Sequence, residues 1–330
     1  MTKLIIQIPC YNEESTLGIT LSALPREIPG VDVVEWLIID DGSTDQTIDV
    51  ALKHGVDHVI RLPRNQGLAK AFMAGLEGSL NAGADIIVNT DADNQYCADD
   101  IPKLLEPILS GKAEIVVGAR PIDNVEHFSY IKKTLQKIGS SVVRLASKTD
   151  IPDAPSGFRA ISRQAAMRLN VFNEHTYTLE TIIQAGQKSM AITSVPIKTN
   201  EDLRPSRLVK SIPHYIQRSI LTIIRIFMTY RPFLFFTLLG TISFGLGMLI
   251  SFRFLFLYLG GNGAGHIQSL ILAALLMGTG FFLSVTGLIA DLISVNRKLL
   301  EKLDWRVQKI EETYNKNNRH KNNKIDQKGY

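Results

Sequence analysis

Two carboxylates one residue apart follow an apolar run in Ile86-Ile87-Val88-Asn89-Thr90-Asp91-Ala92-Asp93-Asn94-Gln95. The apolar run predicts a buried parallel strand. Alternate residues of an extended chain share one face, so Asp91, Asp93 and Gln95 would present oxygen atoms to one point where the strand ends. Such oxygen ligands suit Mg²⁺ or Mn²⁺, which proteins usually hold with one or two carboxylates and the phosphates of a substrate. The sequence therefore favours a metal site here, and the alternative is an Asx-rich turn that only closes the strand.

An alternation of strands and helices positions these carboxylates. Helical patterns end near residues 24, 80 and 109, and apolar runs predict strands at 4–8, 33–39, 56–62, 86–90 and 114–118. This order predicts an α/β fold with a mostly parallel sheet and helices on both faces. In such folds ligands bind along the edge where the parallel strands have their carboxyl ends.

Polar, turn-forming clusters follow other predicted strands. They are Pro9-Cys10-Tyr11-Asn12-Glu13-Glu14, Asp40-Asp41-Gly42-Ser43-Thr44-Asp45 and Asn65-Gln66-Gly67-Leu68-Ala69-Lys70. Each cluster alone is explained by turns and helix caps, whereas all of them together would converge with Asp91 on one crevice. The sequence contains no GxGxxG and no Walker P-loop, so a dinucleotide dehydrogenase and a P-loop nucleotidase are poorly supported.

These clusters, in this order and together with Asp91-Ala92-Asp93-Asn94-Gln95, resemble the inverting family 2 nucleotide-sugar glycosyltransferases, which have the GT-A (Rossmann-like) fold. The later Ser156-Gly157-Phe158-Arg159 resembles the subgroup that glycosylates polyprenyl phosphates. Dolichyl-phosphate mannose synthases and bacterial undecaprenyl-phosphate glycosyltransferases belong to that subgroup.

The resemblance implies roles for named residues. A UDP- or GDP-linked sugar donor would bind to Pro9, Tyr11, Asn12, Glu13, Asp40, Asp41, Gln66, Gly67, Lys70 and Ala92. Its diphosphate would carry Mg²⁺ or Mn²⁺ held by Asp91, Asp93 and Gln95. The catalytic residues would be Asp91, Asp93 and Arg120.

A lipid phosphate acceptor needs basic groups, and the arginine guanidinium matches two phosphate oxygens at once. The candidates for the acceptor phosphate are Arg120, Ser156, Arg159, Arg204 and Arg207. The alternative is that these basic residues form a solvated face or touch lipid headgroups. A phosphate oxygen is anionic at neutral pH and needs no strong general base.

The acceptor side departs from the subgroup at one place. An arginine is usual in the helix after the Gly-x-Arg strand, and this chain has Tyr130-Ile131-Lys132-Lys133 in that region. A lysine supplies a point charge without the two-pronged geometry of arginine. Glu180 either orients these basic groups or lies on a helix surface.

Two apolar segments, 233–259 and 267–290, each exceed the roughly 20 residues that cross a bilayer. Basic residues flank the pair on both sides, which by the positive-inside rule places both flanks in the cytoplasm. We therefore predict a catalytic domain at 1–210, an amphipathic interfacial helix at 211–231, a transmembrane hairpin at 232–293, and a cytosolic helix with a disordered tail at 294–330.

The composition is consistent with this arrangement. The chain has 330 residues and a net charge of +4, and its basic residues concentrate after about residue 200, beside the apolar segments. This placement indicates a membrane surface rather than nucleic acid as partner. Two cysteines, Cys10 and Cys97, without ligand spacing, indicate a reducing compartment with neither a disulfide framework nor a zinc site.

The sequence thus predicts a membrane-anchored glycosyltransferase that moves a sugar from a nucleotide donor to polyprenyl phosphate at the cytoplasmic face. One alternative is a membrane enzyme with a hydroxyl acceptor, which needs a carboxylate base such as Glu180. Another is a non-catalytic membrane partner that binds nucleotide sugar. The resemblance also implies a homo-oligomer such as a tetramer.

Overall fold

The computed structural model describes residues 1–121, 144, 147, 149–171, 177–201, 203, 221, 224–225, 228–261 and 267–326, without the side chains of 304, 308 and 311–326. Arg204, Arg207, Lys132, Lys133 and most of the predicted interfacial helix therefore lie outside the described residues. The chain forms two compact units, Met1–Ser219 and Ile220–Tyr330.

The first unit is built on a seven-stranded sheet. In chain order its strands are β1 (Lys3–Cys10), β2 (Val33–Asp40), β3 (His58–Arg61), β4 (Ile86–Asn89), β5 (Ile115–Ala119), β6 (Arg159–Ser162) and β7 (Ile192–Pro196). Across the sheet the order is β3-β2-β1-β4-β6-β5-β7. Neighbouring strands are parallel except at β6, which is antiparallel to both β4 and β5. The predicted mostly parallel sheet is confirmed.

Helices cover both faces of this sheet. In the part of the unit that the structure describes they are α1 (Leu17–Ala23), α2 (Thr47–Lys53), α3 (Leu68–Asn81), α4 (Ile101–Leu109), α5 (Arg163–Ala166) and α6 (Thr178–Gln187). Successive side chains of a strand point to opposite faces. Leu4 and Ile6 accordingly pack in one apolar cluster with residues of α1 and α4. Ile5 packs in the other cluster with Phe72 of α3 and Ala185 of α6.

The order of strands reverses at β1. The chain adds β2 and β3 on one side of β1 and then returns to place β4 on its other side. Such a switch point leaves a crevice beyond the carboxyl ends of the two central strands, and ligands of α/β sheets bind there. The turns that follow β1 and β4 border this crevice.

The antiparallel β6 and the edge strand β7 go beyond the five strands that the sequence predicts. Arg159, the first residue of β6, pairs with Asn89 on one side and Val117 on the other. Because β6 runs against its neighbours, its first residues lie at the edge where β4 and β5 end. The segment that precedes β6 is thereby brought beside Asp91.

The second unit contains two long helices, α7 (Pro232–Leu259) and α8 (Ile267–Asp326). Each has an apolar stretch long enough to cross a membrane. Small residues bring the helices close, since a Cβ added to Gly280 would lie 2.6 Å from the carbonyl oxygen of Gly240. The Ser243 hydroxyl also donates a hydrogen bond to the Leu276 carbonyl at 2.9 Å. Close approach at glycine and serine is typical of helix pairs in membranes.

The helix α8 extends beyond its apolar stretch. It continues to Asp326, whereas the sequence predicts a disordered tail from about residue 315. Up to about residue 312 the helix carries lysine, glutamate and glutamine, which have good helix propensity, and beyond that point lysine and arginine are interspersed with asparagine. Just after the apolar stretch, the Arg297 guanidinium lies 4.7 Å from the ring centre of Tyr230.

Candidate donor and metal site

Asp91 and Asp93 follow β4 at the crevice, partly exposed, with Ala92 buried between them. Burial and the negative charge of Asp93 raise the pKa of Asp91 to about 7, although Arg120 acts in the opposite direction. Among the described residues no donor is hydrogen-bonded to the Asp91 carboxylate. The negative charge of the two carboxylates is therefore only partly offset, by the Coulombic effects of Arg120 and Arg159.

This donor set fits a divalent cation. No group of three or more His, Cys, Asp or Glu residues forms a closed metal site in the described ranges. Two carboxylates with an amide nearby match the open kind of site in which substrate phosphates complete the ligands of Mg²⁺ or Mn²⁺. Gln95 lies in the same turn as Asp93, and its backbone N–H donates to Asp93 Oδ1 at 3.2 Å.

The turn after β1 is joined to the turn after β2. Asn12 has a left-handed backbone with φ of 54°. Its side-chain oxygen accepts the Thr44 N–H at 2.8 Å, and its own N–H donates to Ser43 Oγ at 2.9 Å. Glu13 is buried beside this junction, and Tyr11 is exposed. The two predicted nucleotide-binding clusters are therefore in direct contact.

The two carboxylates after β2 are turned into the fold. Asp41 accepts the backbone N–H groups of Gln66 at 2.7 Å and Gly67 at 2.9 Å. Asp40 is fully buried and accepts the Ser43 N–H at 2.9 Å, while Arg61 Nε lies 3.4 Å from its other oxygen. Both carboxylates thus hold turns of the predicted nucleotide pocket in place.

The remaining residues that are predicted to bind the nucleotide sugar differ in exposure to solvent. Pro9 is buried within β1, and the carbonyl of buried Ala92 accepts the Thr20 hydroxyl at 2.9 Å. Lys70 is exposed in the first turn of α3, just after Gln66 and Gly67. Of these three, only the Lys70 side chain is placed to meet a ligand from solvent.

Arg120 follows β5 and forms a two-pronged ion pair with Asp153. The distances are 2.7 Å from Nε to Oδ2 and 3.0 Å from Nη2 to Oδ1. The Asp153 side chain is fully buried, whereas that of Arg120 is 18% exposed. Burial acts to lower the pKa of Arg120, but the hydrogen bonds that its guanidinium donates to Asp153 outweigh burial and raise that pKa. Arg120 therefore stays cationic at the edge that carries Asp91.

Arg159 and Ser156 lie inside the fold. The Arg159 guanidinium donates to the carbonyls of Ser156 and Ala154, each at 2.8 Å, and to the Thr181 hydroxyl. Its side chain is fully buried, and burial lowers its pKa. Ser156 is fully buried beside the Tyr96 phenol. These placements differ from the phosphate-facing positions expected from the sequence, because both groups are enclosed by protein.

Two residues of the site were missed by sequence reasoning. Asp153 lies in a stretch with Pro152 and Pro155, and its place between two prolines was the available signal. Asn200 has no such signal. Its side chain donates to the Asn94 carbonyl at 2.8 Å, and its backbone N–H donates to the Gln95 carbonyl at 2.9 Å. Asn200 thereby fixes the turn that contains Gln95.

Comparison with known families decides what kind of protein carries this site. The family model described as Glycosyl transferase family 2 matches residues 5–169, which include every turn of the crevice described above. The chain belongs to glycosyl transferase family 2.

Relatives of this family 2 glycosyltransferase include enzymes named for lipid phosphates. The UDP-N-acetylglucosamine–dolichyl-phosphate N-acetylglucosaminyltransferase of Methanococcus voltae is 31% identical over 218 residues, which cover 58% of this chain and 83% of the relative. The undecaprenyl-phosphate mannosyltransferase of Micrococcus luteus is 32% identical over 159 residues, which cover 46% of this chain and 63% of the relative.

Solved structures show the same fold. The glucosyl-3-phosphoglycerate synthase of Mycobacterium tuberculosis, crystallised with Mn²⁺, UDP and glucosyl-3-phosphoglycerate, superposes with a TM-score of 0.54. The match covers 67% of this chain and 80% of that enzyme at 19% identity. The predicted GT-A fold is confirmed for this family 2 glycosyltransferase.

Proposed function

We propose that this glycosyltransferase transfers a sugar from a UDP- or GDP-linked donor to polyprenyl phosphate, with inversion at the anomeric carbon. The observation that carries the proposal is the union, in one chain, of a family 2 domain with two helices long enough to span a membrane. A lipid phosphate acceptor requires catalysis at a membrane surface, and such an anchor supplies it. The relatives named for dolichyl and undecaprenyl phosphate support the same acceptor class.

The donor nucleotide would bind in the crevice beside β1. Tyr11 and Lys70 are exposed there, and the Gln66–Gly67 turn is held by Asp41. Asp40, Glu13 and Asn12 would contribute to binding of the nucleotide sugar through the shape of the pocket, since their internal hydrogen bonds fix its turns.

Asp91, Asp93 and Gln95 would hold Mg²⁺ or Mn²⁺ against the donor diphosphate. When bound, the cation neutralises the charge that develops on the departing nucleoside diphosphate. The raised pKa of Asp91 supports this role, because a cation would stabilise two neighbouring carboxylates whose negative charges repel each other. The Mn²⁺ in the mycobacterial synthase is consistent with it.

The acceptor phosphate would attack without a general base. Its oxygen is anionic at neutral pH and has no proton to lose, so positioning and charge stabilisation suffice. The oxygen attacks the anomeric carbon on the face opposite the diphosphate, and the bond to the diphosphate breaks as the new bond forms. Arg120, oriented by Asp153, would bind the acceptor phosphate. Arg204 and Arg207 are further phosphate ligands in this proposal.

The basic flanks of the hairpin support a cytoplasmic orientation of both the catalytic domain and the C-terminal helix. Arg225 and Arg231 precede the first apolar stretch, and Arg297, Lys298 and Lys302 follow the second. Lysine and arginine concentrate in cytoplasmic loops of membrane proteins. The family resemblance extends the proposal to a homo-oligomer of the full chain.

The test is transfer of radiolabelled sugar by the purified full-length enzyme in detergent. A panel of UDP- and GDP-sugars is supplied with Mn²⁺ and with either undecaprenyl or dolichyl phosphate. The control is Asp93→Ala. We expect one donor to give a metal-dependent glycolipid that is cleaved by mild acid and is absent with the variant.

The other outcomes separate the rival functions. Labelling of a lipid or glycan hydroxyl, with a bell-shaped pH profile, would replace the phosphate acceptor by a hydroxyl acceptor. Binding of UDP or GDP without transfer to any acceptor would make the protein a non-catalytic binding partner.

A further inference from the structure

Asn89 places a primary amide inside the sheet, at the last position of β4. The residue is fully buried on the face that packs against α3 and α6. Its side-chain oxygen accepts Gln7 Nε2 from the neighbouring strand at 2.9 Å. Its nitrogen donates to the Gly157 carbonyl at 2.9 Å and to the Tyr177 hydroxyl at 2.8 Å. A buried amide with every group paired specifies the position of each of its partners.

The Gly157 peptide is held from both sides by these contacts. Its N–H donates to the Tyr96 hydroxyl at 2.9 Å. Its carbonyl accepts both Asn89 and the Tyr177 hydroxyl, the latter at 3.3 Å. The two tyrosine rings are themselves stacked, Tyr96 on Phe158 and Tyr177 on Phe72. Gly157 therefore has little freedom to move.

Gly157 in turn lies against the metal site. A Cβ built on it would lie 3.1 and 3.2 Å from the two carboxylate oxygens of Asp91, and 3.0 Å from the Tyr177 hydroxyl. These distances are shorter than ordinary contacts, so the glycine leaves room for the carboxylate and no more. No hydrogen bond from a described residue fixes the Asp91 carboxylate. The Gly157 backbone therefore bounds one side of the space that this carboxylate occupies.

We propose that Asn89 and Gly157 are positioning residues for Asp91, and that they set the affinity of the site for a divalent cation. Asn89 and the two tyrosine hydroxyls fix the Gly157 peptide, and that peptide limits the rotation of the Asp91 carboxylate. The proposal rests on the metal role of Asp91 in the proposed function, but it concerns residues outside the Asp91–Gln95 turn. Groups that orient metal ligands typically change metal affinity about 10- to 100-fold when altered.

The decisive variant is Gly157→Ala. Its added methyl would lie 3.0 Å from the Tyr177 hydroxyl and 3.1 and 3.2 Å from the Asp91 carboxylate oxygens, so these neighbours must give way by a few tenths of an ångström. Asn89→Ala is the second variant. It removes one hydrogen bond to the Gly157 carbonyl, which still accepts the hydrogen bond from the Tyr177 hydroxyl. The matched control is Gly245→Ala, since a Cβ at Gly245 meets nothing within 4 Å.

Mn²⁺ binding to the full-length protein in detergent is measured from the electron paramagnetic resonance signal of free Mn²⁺, with UDP and, in parallel, with GDP. The thermal unfolding temperature without metal is recorded for each protein. We expect Gly157→Ala to weaken Mn²⁺ binding roughly tenfold or more, and Asn89→Ala to weaken it less. We expect Gly245→Ala to bind as the wild type does. Where Gly157→Ala does not fold, Asn89→Ala decides the matter alone.

Wild-type Mn²⁺ affinity in the folded variants would overturn the proposal, and so would an absence of Mn²⁺ binding by the wild-type protein. A merely structural role would lower the unfolding temperature and leave the Mn²⁺ affinity of the folded fraction unchanged. Failure of the proposed function looks different, because there the wild type binds Mn²⁺ but transfers no sugar to polyprenyl phosphate.

Discussion

Asp153 accepts two hydrogen bonds from the Arg120 guanidinium, from Nε to Oδ2 at 2.7 Å and from Nη2 to Oδ1 at 3.0 Å. It also accepts the Arg120 backbone N–H at 3.2 Å. Because the carboxylate is fully buried, its charge depends on this one arginine far more than the charge of a solvent-exposed carboxylate depends on its partner. Among the described residues, Arg120 is the one cation that the proposed function assigns to the acceptor phosphate. The ion pair with Asp153 fixes its orientation.

Removal of the buried carboxylate is expected to destabilise the enzyme strongly. Asp153→Ala leaves the partly buried Arg120 without its counter-charge, and loss of one partner of a buried pair costs about 3–5 kcal/mol of unfolding free energy. Thermal and urea unfolding of the detergent-solubilised protein measure the loss. Asp150→Ala is the control, because Asp150 lies in the same stretch and is exposed. An equal effect of the two substitutions would contradict the prediction.

The double variant Arg120→Met with Asp153→Leu separates stability from catalysis. Replacing a buried ion pair by apolar side chains of similar size is often neutral for stability. We expect an unfolding temperature near that of the wild type, with sugar transfer reduced at least 100-fold. A double variant with substantial transfer activity would remove Arg120 from the proposed mechanism.

The carboxylates of the metal site give a second prediction. Asp91→Asn and Asp93→Asn each remove a ligand charge, so Mn²⁺ should no longer raise the unfolding temperature and transfer should fall 100-fold or more. Asp99→Asn changes the same charge at an exposed position shortly after the turn and serves as the control. Persistence of the Mn²⁺-dependent rise in both site variants would exclude these carboxylates as metal ligands.

Asp57 gives a prediction on pH dependence. Burial acts to raise the pKa of its carboxyl, but the Trp36 N–H at 2.7 Å and the Arg26 guanidinium outweigh burial and lower that pKa. The unfolded chain, with an ordinary Asp pKa near 3.9, therefore binds more protons than the folded one in acid. The stabilising effect is complete above that value and is lost as the pH falls through the lowered folded-state pKa.

The corresponding test compares the wild type with Asp57→Asn from pH 7 down to pH 3. We expect the variant to be less stable at pH 7 and the difference between the two unfolding temperatures to shrink below about pH 4. Glu106→Gln, which neutralises an exposed carboxylate of α4, should show no such convergence. A difference that stays constant with pH would show that the charge of Asp57 is not involved.

The helix hairpin provides the last prediction. Gly280→Ala would place a methyl group 2.6 Å from the Gly240 carbonyl oxygen and 2.7 Å from the Phe244 nitrogen. Overpacking of this kind costs about 1–3 kcal/mol, so the unfolding temperature in detergent should fall. Gly278→Ala is the matched control two residues away, where a Cβ meets nothing within 4 Å. Equal stability of the two variants would mean that α7 and α8 do not cross at Gly280.

The sequence predicts the strands whose apolar runs are uninterrupted. β1, β2, β4 and β5 are nearly all buried, so hydrophobicity alone reveals them. β6 is short and begins with Arg159, a charged residue that ordinarily excludes a buried strand. β7 is mostly half-buried at the edge of the sheet and carries Thr193 and Ser194. Their places are decided by pairing with distant strands, which local patterns do not contain.

The site was predictable to a similar degree. The position of Asp91 and Asp93 follows from a local rule, since they come directly after an apolar strand. The position of Arg159 does not, because the carbonyls and hydroxyl that enclose it come from 154, 156 and 181. Whether a basic side chain meets solvent or protein is a property of the tertiary structure. The internal roles of Asp40 and Asp41 were hidden for the same reason.

The antiparallel course of β6 has a consequence for how the two sides of the proposed reaction are aligned. β5 ends and β6 begins at the same edge of the sheet, where the Gly118 N–H donates to the Phe158 carbonyl. Arg120 directly follows β5, and Gly157 lies two residues before β6. One strand junction therefore carries both the cation proposed for the acceptor phosphate and the glycine beside Asp91. A shift of either strand would misalign acceptor and metal site together.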